Sequence, residues 1–440
     1  MGLGSPLSPV SLDVEPSIST VVLQPTPFCN IDCRYCYLPQ RDDKTVLPLE
    51  TIVTIFQKIF ASGWSSCHLT VIWHAGEPLV LPVSYYRAAF EAIEALRPPS
   101  VELRHSIQTN GMLLSREWCD IIREWGIGLG VSIDGPRHIH DANRVTRAGK
   151  GTFDRTIAGV RLLRSENVPF HVISVLSNAS MDSPEELLEF YLEEGIDDIC
   201  FNVEESEGTH VSGLLSSKNS VDRFRGFLNR FWTLSRQTRQ IQFIREIDGM
   251  ISRIFRPEGT KVENSQIDPF GMMNIDCRGN VSSFSPELLG YKNAAYNDFI
   301  VGNILTDSLQ DMLRSPAMRA MTRDISAGVE ACEKECDYFS VCGGGAPVNK
   351  LTENGTFAST RTGFCSLIQI VPADLILNAL DRLELQFDSA SASAARVSNS
   401  GEEPRFKPIA AAVPAATAAL NKFRPDSSDV ALHQIERGSR

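Results

Sequence analysis

Six short apolar runs, each followed by an amphipathic stretch, occupy residues 20 to 205 and restrict this chain to parallel strands alternating with helices. The predicted strands are Thr20 to Leu23, His68 to His74, Leu103 to Thr109, Gly128 to Ile133, Phe170 to Leu176 and Ile199 to Val203. Helical periodicity marks Leu49 to Phe60, Tyr85 to Leu96, Arg116 to Trp125 and Phe153 to Arg164. Ser183, Pro184 and Glu186 predict a capped helix start. Six such units imply a parallel sheet that closes only partly into a barrel, with ligands on the loops after the strands. At 440 residues the chain exceeds one ordinary domain. The expected division is an extension at 1–18, the barrel at 19–245, a second domain at 246–385 and a disordered tail at 386–440, rich in Ala, Ser and Pro from about Ser389.

Composition excludes some roles. A net charge of −12 without a Lys/Arg cluster argues against a nucleic-acid partner. No continuous apolar run reaches the roughly 20 residues of a membrane span, and MGLGSPLSPVSLDVEP lacks the basic start and apolar block of a secretory signal. A cytoplasmic location, with no membrane partner, is therefore expected. In that setting eleven cysteines point to metal or redox chemistry rather than disulfides.

Their distribution suggests two sites. Cys29, Cys33 and Cys36 follow the first predicted strand in a C-x3-C-x2-C array, whereas Cys332, Cys336, Cys342 and Cys365 gather late. Three thiolates on a four-iron cubane leave one iron open to a chelating cofactor. Zinc is the alternative at the first site, but it takes four ligands and no fourth Cys or His lies close by. Cys67, Cys119 and Cys200 are expected to be buried small hydrophobes.

The array Cys29-Asn-Ile-Asp-Cys33-Arg-Tyr-Cys36 resembles the radical S-adenosylmethionine (SAM) superfamily. That resemblance implies a SAM-binding [4Fe-4S] cluster and release of a 5′-deoxyadenosyl radical. It also implies a reductant such as flavodoxin or ferredoxin. His74-Ala75-Gly76-Glu77-Pro78 looks like the family's Gly-Gly-Glu motif, with Gly76 admitting the ligand and Glu77 accepting from the SAM ammonium. Gln108-Thr109-Asn110-Gly111 and Ser132-Ile133-Asp134-Gly135 end the third and fourth predicted strands. The resemblance assigns the SAM carboxylate to Ser132 and Arg144, with Arg147 a competing choice, and makes Asn110 a further cofactor contact. In Phe201-Asn202-Val203-Glu204-Glu205, alternation puts Asn202 and Glu204 on one face and Phe201, Val203 and Glu205 on the other. Asn202 and Glu204 are candidates for cofactor or substrate contact, the alternative being a solvated acidic strand end.

The later cysteines resemble the SPASM domain of peptide-modifying radical SAM enzymes, which usually carries two auxiliary clusters. The implied fold is α/β, a partial (β/α)6 TIM barrel with a C-terminal SPASM-like iron-sulfur domain. Two departures matter: Ala346 follows the three glycines where Cys is common, and Ala295 stands where G-x4-C would place Cys after Gly290. Cys332, Cys336, Cys342 and Cys365 suffice for one auxiliary [4Fe-4S] cluster, with Cys277 a remnant or a spare and zinc the alternative metal.

The motifs Cys-Asn-Ile-Asp-Cys-Arg-Tyr-Cys-Tyr-Leu-Pro, Phe-Asn-Val-Glu-Glu and Ser283-Phe-Ser-Pro-Glu-Leu-Leu289 look most like the cyclophane-forming maturases of the Grr type. These join an aromatic ring to a side-chain β-carbon in a ribosomally made precursor peptide. The alternatives are an anaerobic sulfatase-maturing enzyme, which makes formylglycine and normally keeps both auxiliary clusters, and a non-catalytic iron-sulfur sensor or peptide-binding protein. The segment before the first strand is too short for a leader-binding domain, so a peptide is expected to dock on the barrel, the second domain or another protein.

Overall fold

The computed structural model describes residues 15–206, 210–257, 260 and 262–382. The expected tail lies outside the described residues, as does most of the 1–18 extension. In chain order the first part comprises β1 (Ile18–Leu23), α1 (Leu49–Ser62), β2 (Ser65–Trp73), α2 (Val83–Leu96), β3 (Glu102–Thr109), α3 (Arg116–Trp125), β4 (Gly128–Ser132), α4 (Arg137–Asn143), α5 (Phe153–Ser165), β5 (His171–Leu176), α6 (Pro184–Glu193) and β6 (Asp198–Val203). There follow α7 (Ser220–Thr238), β7 (Phe243–Ile244), α8 (Arg245–Ile254), β8 (Met272–Ile275), β9 (Asn280–Ser283), β10 (Gly302–Asn303), α9 (Leu309–Leu313), α10 (Pro316–Glu335), α11 (Phe339–Cys342) and α12 (Pro347–Asn354). The final helix, α13, spans Gly363–Arg382.

All six predicted strands form, within a few residues of their expected limits, and pair in parallel in the order β1 to β6. The sheet is larger than six strands. β7 joins β6 at one edge, and β8 pairs in parallel with β1 at the other. The antiparallel β9 and β10 extend it further, giving a ten-stranded open sheet. The region after residue 245 thus shares the barrel's sheet and its hydrophobic core, through residues such as Met273, Ile275 and Val281.

Aromatic side chains fill the layer between sheet and helices. Trp73 of β2 meets Tyr86 and Phe90 of α2 edge-on, at 5.2 and 5.7 Å between ring centroids. On the far side Phe201 of β6 packs edge-on against Phe227 and Phe231 of α7 at 5.3 and 5.0 Å. Such pairs exceed their area contribution because ring edges meet ring faces.

Two local expectations are corrected. The helix at Pro184 begins as expected, but Ser183 makes no side-chain capping bond; its φ of −124° and ψ of 49° depart from the usual extended N-cap geometry. Cys67 is exposed rather than buried, while Cys119 and Cys200 are buried. The β1–β2 register runs Ile18↔Ser65 and then Thr20↔Thr70, so residues 66–69 bulge out of the ladder and carry Cys67 with them. By length and composition alone α13 could cross a membrane, although no continuous apolar run marks it and part of it is buried in the fold. Its Ala373 and Ile376 pack on Met250 of α8 in a small core cluster, with Trp232 of α7 against it.

Phe231 is fully buried. Its replacement by Ala is expected to cost about 3–5 kcal/mol through lost burial and a residual cavity, read as a lowered denaturant midpoint at unchanged slope. Phe231→Leu should cost clearly less.

Candidate functional site

The loop between β1 and α1 carries Cys29, Cys33 and Cys36 without regular secondary structure, so its backbone is satisfied by the segment after α4. Asp32 N–H donates to Val145 O at 2.7 Å and Arg34 N–H to Asn143 O at 2.9 Å. Within the loop, Cys29 N–H donates to Arg41 O at 3.1 Å and Cys36 N–H to Cys33 O at 3.2 Å. The three thiols feel one another's charge, and burial pushes Cys29 up to about 12 and Cys33 to about 11. Buried thiols of this kind become thiolates when a metal supplies the compensating charge.

Gly76 explains how the loop reaches the sheet. It has φ +130°, and a Cβ there would lie 2.1 Å from Thr26 O. The neighbour admitted by the missing side chain is therefore the chain's own cluster loop, two residues before Phe28. Beside it Glu77 is almost fully buried. Its carboxylate accepts from Thr109 Oγ1 at 2.6 Å, Leu79 N–H at 3.0 Å and Asn110 N–H at 2.8 Å. Burial lifts this carboxyl to about 7 against those three donors. Three of about four acceptor positions are taken, leaving one on Oε2 for a cation. Asn110 Nδ2 in turn donates to Asn30 Oδ1 of the cluster loop at 2.7 Å.

Arg144 and Arg147 occupy different positions. Arg147 lies on the outside, donating to Cys29 O at 3.0 Å and paired with Asp42. Arg144 is buried, pairs with Asp134 at 3.0 Å, and brings Nη1 to 3.9 Å from Cys33 Sγ, while its Nε has no partner. A buried donor left over beside the cysteine loop suits an anionic ligand group such as a carboxylate. Ser132 Oγ accepts from Gln108 Nε2 at 3.2 Å, which joins the ends of β3 and β4.

Asp134 was not singled out as a site residue in the sequence, yet it organises this side. Oδ1 accepts from Arg144 and from Val175 N–H at 2.9 Å, and Oδ2 from Tyr35 Oη at 2.5 Å. Tyr35 lies under the Arg144 guanidinium, 5.4 Å from the ring centroid. The available signal was the aromatic residue just before the last cysteine of the array.

At the end of β6 the alternation expected through Glu205 breaks because the strand stops at Val203. Phe201 and Val203 join the core, and Glu204 pairs with His210 at 3.0 Å. Asn202 accepts from Arg245 Nη2 at 2.7 Å. Asn202 and Glu205 line the same cavity of about 680 Å³, together with Arg253, Glu287 and Phe364. Glu287 belongs to the Ser283–Leu289 motif, where buried Phe284 has φ +74°. Desolvation raises its carboxyl above the ordinary range. An adjoining hollow sharing Glu205, Arg253 and Glu287 reaches Cys342 and Ala346.

The four later cysteines converge: Cys342 and Cys365 each feel the charges of Cys332 and Cys336, and Cys365 also that of Cys342. Cys277 is apart, with Asp276, Arg278 and Asp43 acting on it instead. Among the described residues no three Cys, His, Asp or Glu side chains form a group that would hold a metal ion. A tetrahedral zinc ion needs thiolate sulfurs about 3.8 Å apart, from bonds of about 2.3 Å. A cubane spreads its thiolates over separate iron corners, and four thiols within one another's electrostatic reach supply one for each corner.

The radical SAM superfamily profile matches residues 23–191, spanning β1 to α6. An uncharacterized protein of Synechocystis is 37% identical over 366 residues, 82% of this chain and 92% of that protein. A serine-type anaerobic sulfatase-maturating enzyme of Bacteroides thetaiotaomicron is 25% identical, over 74% of this chain and 81% of its own. Among solved structures, native anSMEcpe with bound AdoMet shares the fold at a TM-score of 0.68 and 18% identity, covering 84% of this chain and 99% of that one. Streptococcus suis SuiB bound to precursor peptide SuiA matches at 0.54 and 17% identity, covering 80% and 76%. With the cysteine array after β1 inside the matched residues 23–191, this chain belongs to the radical SAM superfamily and is an enzyme using a [4Fe-4S] cluster and SAM, similar to the anaerobic sulfatase-maturing enzymes.

Proposed function

We propose that this enzyme crosslinks a ribosomally made precursor peptide, joining a side-chain β-carbon to a nearby aromatic ring. The observation that carries this reading is the late cysteine set: four converging thiols, with Ala295 and Ala346 at places where a two-cluster enzyme would have cysteines. Cys29, Cys33 and Cys36 would hold the first [4Fe-4S] cluster, which together with SAM would supply the 5′-deoxyadenosyl radical. Around it, Glu77 meets the SAM ammonium, Ser132 and Arg144 its carboxylate, and Gly76 and Asn110 hold the loops in register.

The peptide docks in the cavity between the end of β6 and α13, where Asn202, Glu205, Arg253 and Glu287 offer polar contacts beside Phe364. Loss of a hydrogen atom at the β-carbon leaves a carbon radical that adds to the arene. Restoring aromaticity then removes one electron and one proton from the ring. Cys332, Cys336, Cys342 and Cys365 would hold a single auxiliary cluster, which would supply an electron acceptor, and a reductant such as flavodoxin or ferredoxin would supply the electron at the first site. A precursor peptide in SuiB's solved complex supports a peptide substrate on this fold.

The sulfatase-maturing reading has its own support in the Bacteroides relative and the anSMEcpe fold match. A crosslinked peptide and a formylglycine made from serine each lack two hydrogens, so mass alone does not separate them, whereas formylglycine made from cysteine also exchanges sulfur for oxygen. Incubated with a synthetic precursor peptide containing aromatic residues, the reduced enzyme is expected to give a product that resists fragmentation between the joined residues and does not react with hydrazides. A hydrazide-reactive product from a sulfatase peptide would instead establish the alternative.

Three further outcomes are expected. Anaerobically purified protein should carry about eight irons, four per cubane. Replacing Cys342 and Cys365 together by Ala should remove about half of them and abolish crosslinking; full-rate crosslinking by a folded variant lacking those irons would end the acceptor role. Glu77→Gln should weaken SAM binding about tenfold or more, the scale of a charge-assisted hydrogen bond. Because the Glu77 carboxyl sits near 7 and must ionise to meet an ammonium, native affinity should rise with pH up to about 7 and then level, whereas the Gln variant should show no such rise.

A further inference from the structure

Lys350 lies on α12 and is almost fully buried, 3% exposed. Its Nζ donates to Gly328 O at 2.9 Å and approaches Cys332 Sγ at 3.2 Å. Gly328 and Cys332 are one turn apart on α10, so the ammonium sits against a single face of that helix. The helix is itself closely approached there, since a Cβ on Gly328 would lie 2.2 Å from Phe357 O. Among the described residues no carboxylate pairs with Lys350, although ion pairs are frequent elsewhere. Burying an ammonium without a counter-charge costs several kcal/mol. A carbonyl oxygen carries only a partial charge and a neutral thiol is a weak acceptor. Besides that carbonyl, the Cys332 sulfur is the group the lysine nitrogen meets.

We propose that Lys350 is a positioning residue for the auxiliary cluster: its N–H···S contact and positive charge act on the Cys332 ligand sulfur and strengthen the cluster's affinity for an electron. This rests on the reading of Cys332, Cys336, Cys342 and Cys365 as a cluster site. The physical reason is general. Hydrogen bonds to cluster sulfurs and nearby charge set the potential. Gaining an electron makes the cluster more negative, so a fixed cation stabilises the reduced form more than the oxidised one. An acceptor that takes one electron from the cyclised substrate radical, as the arene gives up its proton, benefits from that bias. Arg253 is a second cation near the same cysteines, acted on by the charge of Cys342. Its guanidinium, however, is spent on Gln369 Oε1 at 2.7 Å and Val341 O, not on a ligand sulfur.

The test uses the reconstituted full chain, with potentiometric titration followed by electron paramagnetic resonance. Lys350→Met is expected to lower the equilibrium constant for reducing the auxiliary cluster about tenfold or more, about 59 mV for one electron. The cluster on Cys29, Cys33 and Cys36 should keep its potential, and Lys350→Arg should recover most of the change. In native protein grown with ¹⁵N-lysine, electron-nuclear double resonance on the reduced auxiliary cluster should show one coupled lysine nitrogen, a readout independent of how the variants fold. An unmoved auxiliary potential in a Met variant that retains its irons overturns the proposal, as does the absence of that nitrogen coupling. Loss of the auxiliary irons from both variants also overturns it, because the lysine would then be only structural. Native protein with four irons, or with zinc on the late cysteines, would overturn the cluster reading itself, an outcome distinguishable from the others by metal analysis alone.

Discussion

A single buried carboxylate, Asp134, holds the first cysteine loop against the sheet. It accepts from the Arg144 guanidinium, the Tyr35 hydroxyl and the Val175 amide, and so gathers the cluster loop, the segment after α4 and strand β5 at the end of β4. A buried ion pair is costly unless its remaining hydrogen-bonding capacity is filled, and removing one partner typically costs about 3–5 kcal/mol. Here that capacity is filled by elements that must be placed correctly for the loop to function. Glu77 performs the matching task on the other flank, tying the turn after β2 to the end of β3 through three donors. A loop without a ladder of its own is thereby positioned by two buried carboxylates.

The C-terminal region depends on the same sheet. By pairing β8 with β1, the chain makes its second half a continuation of the first. The return path over the open end of the sheet then brings α12 and α13 to the end of β6, where Asn349 donates to Glu205 at 2.6 Å. Arg253 of α8 reaches Gln369 of α13 across the same gap. The cavity and the late cysteines are therefore held to the barrel by polar contacts as well as by the shared core. A substrate lodged there would lie between the end of β6 and Cys342.

Much of this was legible beforehand for a physical reason. Strand and helix periodicity is written in neighbouring residues, which is why β1 to β6 and helices such as α3 fall close to their predicted limits. Cysteine spacing is likewise local, and it set apart the two groups of cysteines that the fold gathers. Where local rules were extended too far they failed: alternation does not outlive the strand at Val203, and a lone cysteine is not buried when its strand bulges at residues 66–69. The amphipathic α13 lacked a continuous apolar run, so its span-like length emerged only once the helix was built.

The sequence by itself determined the alternating strand–helix order, the open-iron cysteine array and the class of chemistry that array implies. Only the tertiary structure decided which arginine is buried beside Cys33, that Gly76 makes room for the chain's own loop, and that a lysine meets Cys332. Those outcomes depend on contacts such as Tyr35 to Asp134, 99 residues apart, and on burial, which converts an ordinary lysine or carboxylate into a group that must find a partner. No pattern of neighbours in the chain encodes such pairings, because they arise when separate strands end at the same rim of one sheet.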